Sequence, residues 1–313
     1  MGRRLLVAAR AIVGRCEARE IDVRWDDFRR SDNVEDRRGM GGGAAGGLGI
    51  GTVVVLGLIG WALGIDPRIL IGGAEVVTGN RSGYEAPAPG PTGAPSDQAG
   101  QFISAVLGDT EDRWKEIFAQ SGKRYSEPKL VIFSGLTRSA CGRAQSAMGP
   151  FYCPNDQRIY LDTAFFRDLE QRFKGCSGKA CQFAQAYVIT HEVGHHVQNL
   201  LGILPKVQEA QQGKDRAQAN QLQVRVELQA DCFAGIWAYH AQQKWKFIEP
   251  GDVEAAIQTA SAIGDDRLQK QTRGQVVPDA FTHGTSEQRV RWFTKGLKSG
   301  ALSSCNTFEE SEV

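Results

Sequence analysis

The chain has 313 residues, 41% of them hydrophobic and 23% charged, with a net charge of +1. That length allows one large domain or two small ones. The near-neutral balance and the lack of a basic cluster argue against nucleic acid as a partner, and there is no internal repeat.

Residues 24–43 carry Arg24, Arg29, Arg30, Arg37 and Arg38, whereas residues 41–65 hold no charged side chain. The apolar centre, Leu48 to Ile65, is 18 residues long, at the short end of the transmembrane range. As a helix the whole uncharged run spans roughly 37 Å, enough for a hydrocarbon core of about 30 Å. A transmembrane helix over 44–65 is therefore expected. Gly47 and Gly51, like Gly60 and Gly64, have the spacing that lets membrane helices touch, a sign of self-association. Only Arg68 and Arg81 follow before residue 100, so the arginine-rich side should stay in the cytoplasm. The span lies too far into the chain for a cleaved signal peptide. It predicts a single-pass anchor in the cell membrane, N-terminus inside and the bulk of the chain outside, periplasmic or extracellular.

Residues 66–100 read as a linker, rich in proline and glycine from residue 79 onward and extended. The folded domain is expected over 101–313. Phe102, Val106 and Leu107, then Trp114, Ile117 and Phe118, predict two short amphipathic helices. "PKLVIFSG" (128–135) predicts a strand, and "GPFYCPNDQRIYLD" (149–162) a hairpin turning at Pro154–Gln157, with Arg158 to Asp162 as its second strand. Helices are expected at about 163–174, 181–201, 206–244, 250–261 and 285–299. The fold class is α+β: a mostly helical domain with a small sheet, preceded by a single transmembrane helix.

Six of the seven cysteines fall after the expected anchor, on the side where disulfides persist. Six cysteines allow 15 pairings. Cys141–Cys153 and Cys176–Cys181 are the local candidates, and Cys232, inside a predicted helix, reads as a buried thiol.

"AYVITHEVGHHVQNLLG" (186–202) places His191, His195 and His196 within six positions. At about 100° per residue, His191 and His195 lie roughly 40° apart on one helix face, while His196 points roughly 140° away from His191. His191-Glu192-x-x-His195 thus offers two imidazoles to one metal and a carboxylate to its bound water, as in zinc peptidases. A catalytic zinc wants three protein ligands and an open position. In "QVRVELQADCFAGIWAYH" (223–240), Glu227 and Asp231 share a helix face in apolar surroundings. Glu227 is expected as the third zinc ligand, with Asp231 accepting from the non-ligating nitrogen of His191. His240 lies about 20 Å further along that helix and cannot share the site.

His191-Glu192-x-x-His195 followed by Glu227-x-x-x-Asp231 resembles the gluzincin pattern. More closely, "SDNVEDRRG" (31–39), "GPFYCPNDQRIYLD", "HEVGHHVQ", "ELQADCFAG" and "HGTSEQRVRWF" resemble the neutral zinc metallopeptidases of bacteria, the YpfJ-like proteins, from about Arg24 to near residue 300. The resemblance implies a zincin-like fold and a membrane-anchored, zinc-dependent peptidase acting on a protein or peptide. Members of that family usually begin near "RWDDFRRSDNVEDRRG", so residues 1–23 read as a non-native extension, with translation expected to start at Val23.

In the mechanism this implies, zinc on His191, His195 and Glu227 lowers the pKa of its water to about 7, and Glu192 acts as general base. His283, in "FTHGTSEQR", is the candidate donor to the developing oxyanion, as the gluzincin resemblance suggests, with Tyr187 a weaker one. Arg289 is a candidate partner of Asp231 or Glu227, and the strand Arg158 to Asp162 a candidate edge for an extended substrate. Two alternatives stay open: an exported binding or scaffold module that zinc only stabilises, and a cell-wall amidase using the same chemistry. A structural site is closed by four protein ligands and has no use for Glu192.

Overall fold

The computed structural model describes residues 25–38, 95–145, 149–171, 181–249, 252–262 and 282–310. A three-residue turn of 3₁₀ helix, Trp25–Asp27, leads into strand β1, Val34–Asp36. Helix α1, Gln98–Gln120, is followed by strands β2, Lys129–Phe133, β3, Leu136–Ser139, β4, Gly142–Gln145, β5, Phe151–Cys153, and β6, Arg158–Asp162. The rest is helical: α2, Ala164–Gln171, α3, Cys181–Leu200, α4, Ile203–Gln211, α5, Arg216–Trp245, α6, Asp252–Ala262, and α7, Ser286–Ser299. A last 3₁₀ turn, Leu302–Cys305, follows α7.

The main sheet has the order β1-β2-β6-β5, with β1, β2 and β6 parallel and β5 antiparallel to β6. Side chains alternate across it. Leu130, Ile132, Ile159 and Leu161 face the helices and join the main core, while Val131, Phe133 and Tyr160 form a second cluster on the other face with Cys153. The hairpin β3–β4 is tied to the edge strand β5 by the disulfide Cys141–Cys153.

Where two short helices are expected before residue 120, one 23-residue helix runs through. The polar interval Gly108-Asp109-Thr110-Glu111 interrupts the apolar pattern without breaking the helix. The segment 25–38 lies across it: a Cβ on Gly108 would stand 2.2 Å from the carbonyl oxygen of Arg29. Glu111 there accepts from Ser31, Asn33 and Arg29. The helix expected over 206–244 is two, because Gly213 takes φ +75° and Asp215 caps α5 by accepting from the Gln218 amide. Helix α7 begins in a reciprocal capping box between Thr285 and Gln288.

Helices α5 and α7 pack through glycines. A Cβ on Gly235 would lie 2.2 Å from the Phe293 oxygen, and one on Gly296 2.0 Å from the Cys232 oxygen. Cys232, expected as a free thiol, is bonded to Cys305, 73 residues on. Closing a loop of that length stabilises by on the order of 4 kcal/mol in the chain-entropy view. Cys181 is also disulfide-bonded, while Cys176 lies outside the described residues.

The transmembrane expectation needs correction. Among the described residues no helix is long and apolar enough to cross a membrane. Residues 44–65, which carried that expectation and the glycine pairs, lie outside them, as do 1–23 and most of the linker. The single-pass topology also conflicts with the sheet. Residues 25–38, expected on the cytoplasmic side, supply strand β1 and pair Val34, Glu35 and Asp36 with Leu130, Val131 and Ile132. Trp25 and Phe28 belong to the same core as α1, α3 and α5. One crossing between residues 38 and 95 would put neighbouring strands of one sheet on opposite sides of a membrane. The single-pass placement, N-terminus inside and catalytic domain outside, therefore does not hold, and the described residues form an α+β fold in which no helix is long and apolar enough to cross a membrane.

Candidate metal centre

Helix α3 contains no proline and buries most of its side chains. It ends at Leu200, two residues before Gly202, which adopts φ +73°. Its four-residue spacing puts the rings of His191 and His195 with centroids 4.8 Å apart and nearly perpendicular. Helix α5 comes close enough to face them because of Gly194, where a Cβ would meet the Ala230 oxygen at 3.0 Å. The Glu227 carboxylate then stands 3.2 Å from Nε2 of His191 and 3.5 Å from Nε2 of His195. Ligand atoms of these three residues all lie within 4.8 Å of one another. Among the described residues they are the one such cluster.

The donor set fits zinc. Two imidazole nitrogens and one carboxylate leave a fourth position for water or substrate. Glu227 is buried, and its partners are the two imidazoles and the Gln223 amide, which donates to Oε1 at 2.9 Å. Burial opposes its ionisation, but the charges and hydrogen bonds of His195 and His191 hold its carboxyl well below the ordinary range.

Behind His191 lies a closed polar network. Its Nδ1 is 2.8 Å from Oδ1 of Asp231, which also accepts from the Tyr187 hydroxyl at 2.6 Å. Arg289 grips Asp231 with two bonds of 2.9 Å, Nε to Oδ2 and Nη2 to Oδ1, and reaches the Tyr187 oxygen at 3.2 Å. Burial pushes the Asp231 carboxyl up, yet Arg289 and His191 bring it to about 2. Burial likewise disfavours the His191 imidazolium, and Asp231 with Glu227 overrides this and raises it to about 10. A metal must displace that proton to bind.

Glu192 is buried beside the cluster without belonging to it. Its carboxyl is raised by burial, against the opposing charges of His195 and His191. His196 points away, as helix geometry predicts. Its Nε2 lies 2.7 Å from the Ser126 oxygen and its Nδ1 3.0 Å from the Tyr152 hydroxyl, and burial lowers it to about 4. His240 bonds the Gly300 oxygen at 2.9 Å, away from the cluster. His283 is exposed and sits two residues before the cap of α7. It is near enough to Glu227 for its charge to favour that carboxylate. The Tyr187 hydroxyl is committed to Asp231 and Arg289 and cannot serve as an oxyanion donor. Sequence reasoning missed Gln198, whose Oε1 lies 2.9 Å from Nδ1 of His195. The spacing i, i+3 is visible in the sequence, but a lone amide carries no signal of its own.

Residues 23–308 match the sequence model of the family described as "Putative neutral zinc metallopeptidase". The chain belongs to that family. The metallopeptidase-family chain is 49% identical over 298 residues to "Uncharacterized protein YpfJ" of Escherichia coli K12, covering 92% of this chain and 100% of that one. It is 40% identical over 232 residues to an uncharacterized protein of Mycobacterium tuberculosis strain H37Rv, covering 71% of this chain and 75% of that one. No solved structure matches this family member.

Proposed function

We propose that the chain is a zinc-dependent peptidase in which His191, His195 and Glu227 hold the ion and Glu192 is the general base. Zinc, when bound, supplies Lewis acidity and a water acidic enough to be deprotonated near neutral pH. Glu192 accepts the proton of the attacking water and passes it to the leaving amine. Its burial raises the carboxyl toward the pH at which such a base works best. Asp231 holds the Nδ1 proton of His191, so that Nε2 faces the ion. Arg289 neutralises Asp231, and His283 is the donor to the oxyanion.

The substrate is an extended peptide. Strand β6, whose edge the sequence suggested, is hydrogen-bonded to β2 on one side and β5 on the other. Among the described residues the edge strand that touches α3 is β5, where main-chain pairing would hold a peptide. The observation that carries the reading is Glu192: a buried carboxylate beside three converging ligands, which a site closed only for structure would not need.

The test uses the full chain. About one zinc per chain is expected, lost in Glu227→Ala. Glu192→Gln should keep its zinc and lose about 10²- to 10⁴-fold in hydrolysis of a mixed peptide library read by mass spectrometry. Hydrolysis undiminished in Glu192→Gln would remove the general base from the mechanism, and folded native protein without zinc would end the peptidase reading.

A further inference from the structure

The two histidines are held from behind by different chemistry, and the second arrangement reaches into the C-terminal segment. Gln198 is fully buried and Gln229 nearly so. Gln198 Nε2 donates to the Val226 carbonyl at 2.8 Å and to Gln229 Oε1 at 3.0 Å. Gln229 Nε2 donates to the Cys305 carbonyl at 2.9 Å. Backbone carbonyls only accept, so Val226 and Cys305 each require an amide NH₂ opposite them. That turns the Gln229 oxygen toward Gln198, and the Gln198 oxygen toward His195. Facing an oxygen at 2.9 Å, Nδ1 of His195 must carry a proton, so in the neutral imidazole that binds a metal Nε2 is the bare nitrogen, on the side of Glu227.

The far end of this chain of bonds is anchored twice. Cys305 is bonded to Cys232 on α5. Arg225, one turn from Gln229, donates to the carbonyls of Thr307 and Glu310, while the Thr307 hydroxyl donates back to the Arg225 carbonyl at 2.7 Å. We infer that Gln198 and Gln229 are positioning residues for the second metal ligand: an amide relay from Cys305 that fixes the tautomer and ring angle of His195. The inference rests on the reading of the site as a zinc centre. It also explains the use of amides. Asp231, Glu227 and Glu192 already place three buried carboxylates near one guanidinium, and the relay orients His195 without adding a fourth.

The readout is zinc affinity, measured by competition with a chromophoric chelator and independent of hydrolysis. Gln198→Met, close to the native side chain in length, removes the acceptor of the His195 proton and is expected to weaken zinc about 10- to 100-fold. Gln229→Met leaves the Val226 bond in place and should weaken it less, by several-fold. Circular dichroism shows whether each variant is folded. The zinc-loaded native chain supplies a second reading that needs no variant: a long-range ¹H–¹⁵N correlation spectrum should show His195 bound through Nε2 with the proton on Nδ1. That spectrum decides if Gln198→Met fails to fold. Folded Gln198→Met holding zinc within about threefold of native, or His195 bound through Nδ1, overturns the relay and leaves the peptidase reading standing. A native chain that takes up no zinc overturns both.

Discussion

Asp231 is fully buried and surrounded by donors: His191, Tyr187 and twice Arg289. Removing one partner of a buried ion pair is costlier than never having had the pair, because the remaining charge stays in a medium that solvates it poorly. Arg289→Met is therefore expected to destabilise the fold by about 3 kcal/mol, at the lower end because Tyr187 and His191 still serve the carboxylate; urea unfolding measures it. At this scale much of the site was legible in the sequence. The pair His191 and His195 follows from the helical repeat, and Glu227 with Asp231 from an acidic pair in an apolar stretch. Gln198 and Gln229 were not legible, because their roles arise only once α3 and α5 are side by side.

Among the elements, sequence reading overlooked β1 and the hairpin β3–β4, and for β1 the reason is physical. Three residues lying before a glycine-rich run and flanked by arginines carry no strand period. What holds them is charge met within the segment and elsewhere in the fold: Arg38 pairs with Asp36 and Asp97, Arg29 with Glu111 and Asp112, and Arg37 and Arg158 with Glu35. The hydrogen bonds of Arg38 hold the carboxyls of Asp36 and Asp97 below their ordinary values. The sign follows: acids lowered on folding contribute stability above their unfolded pKa, near 3.9, and lose it as pH falls through the lowered values. The segment 25–38 should stay docked from pH 5 upward and loosen below about pH 4. Hydrogen exchange at the β1 amides, corrected for intrinsic rate, should rise there before exchange in α3 does. Arg38→Ala should raise exchange already at pH 7 and flatten its rise toward acid, and a rise unchanged by Arg38→Ala would remove these pairs as the cause. The long helix α1 teaches the same lesson. Its polar middle looks like a break until the segment that fills it is in place.

For the whole molecule, the long-range tie between Cys232 and Cys305 has a consequence for how the protein ages. Between these two residues lie α6, residues 263–281 and α7, the helix that carries Arg289. A protease cutting inside that interval would produce two fragments still joined sulfur to sulfur, with α7 packed against α5 through Gly235 and Gly296. Nicked protein should run as a single species in non-reducing electrophoresis, separate into two when reduced, and keep its zinc until then. Loss of the ion on nicking alone would show that the backbone, and not the clasp, holds α7 in register. Damage within this span leaves the guanidinium beside Asp231: the molecule can be cut there without being taken apart.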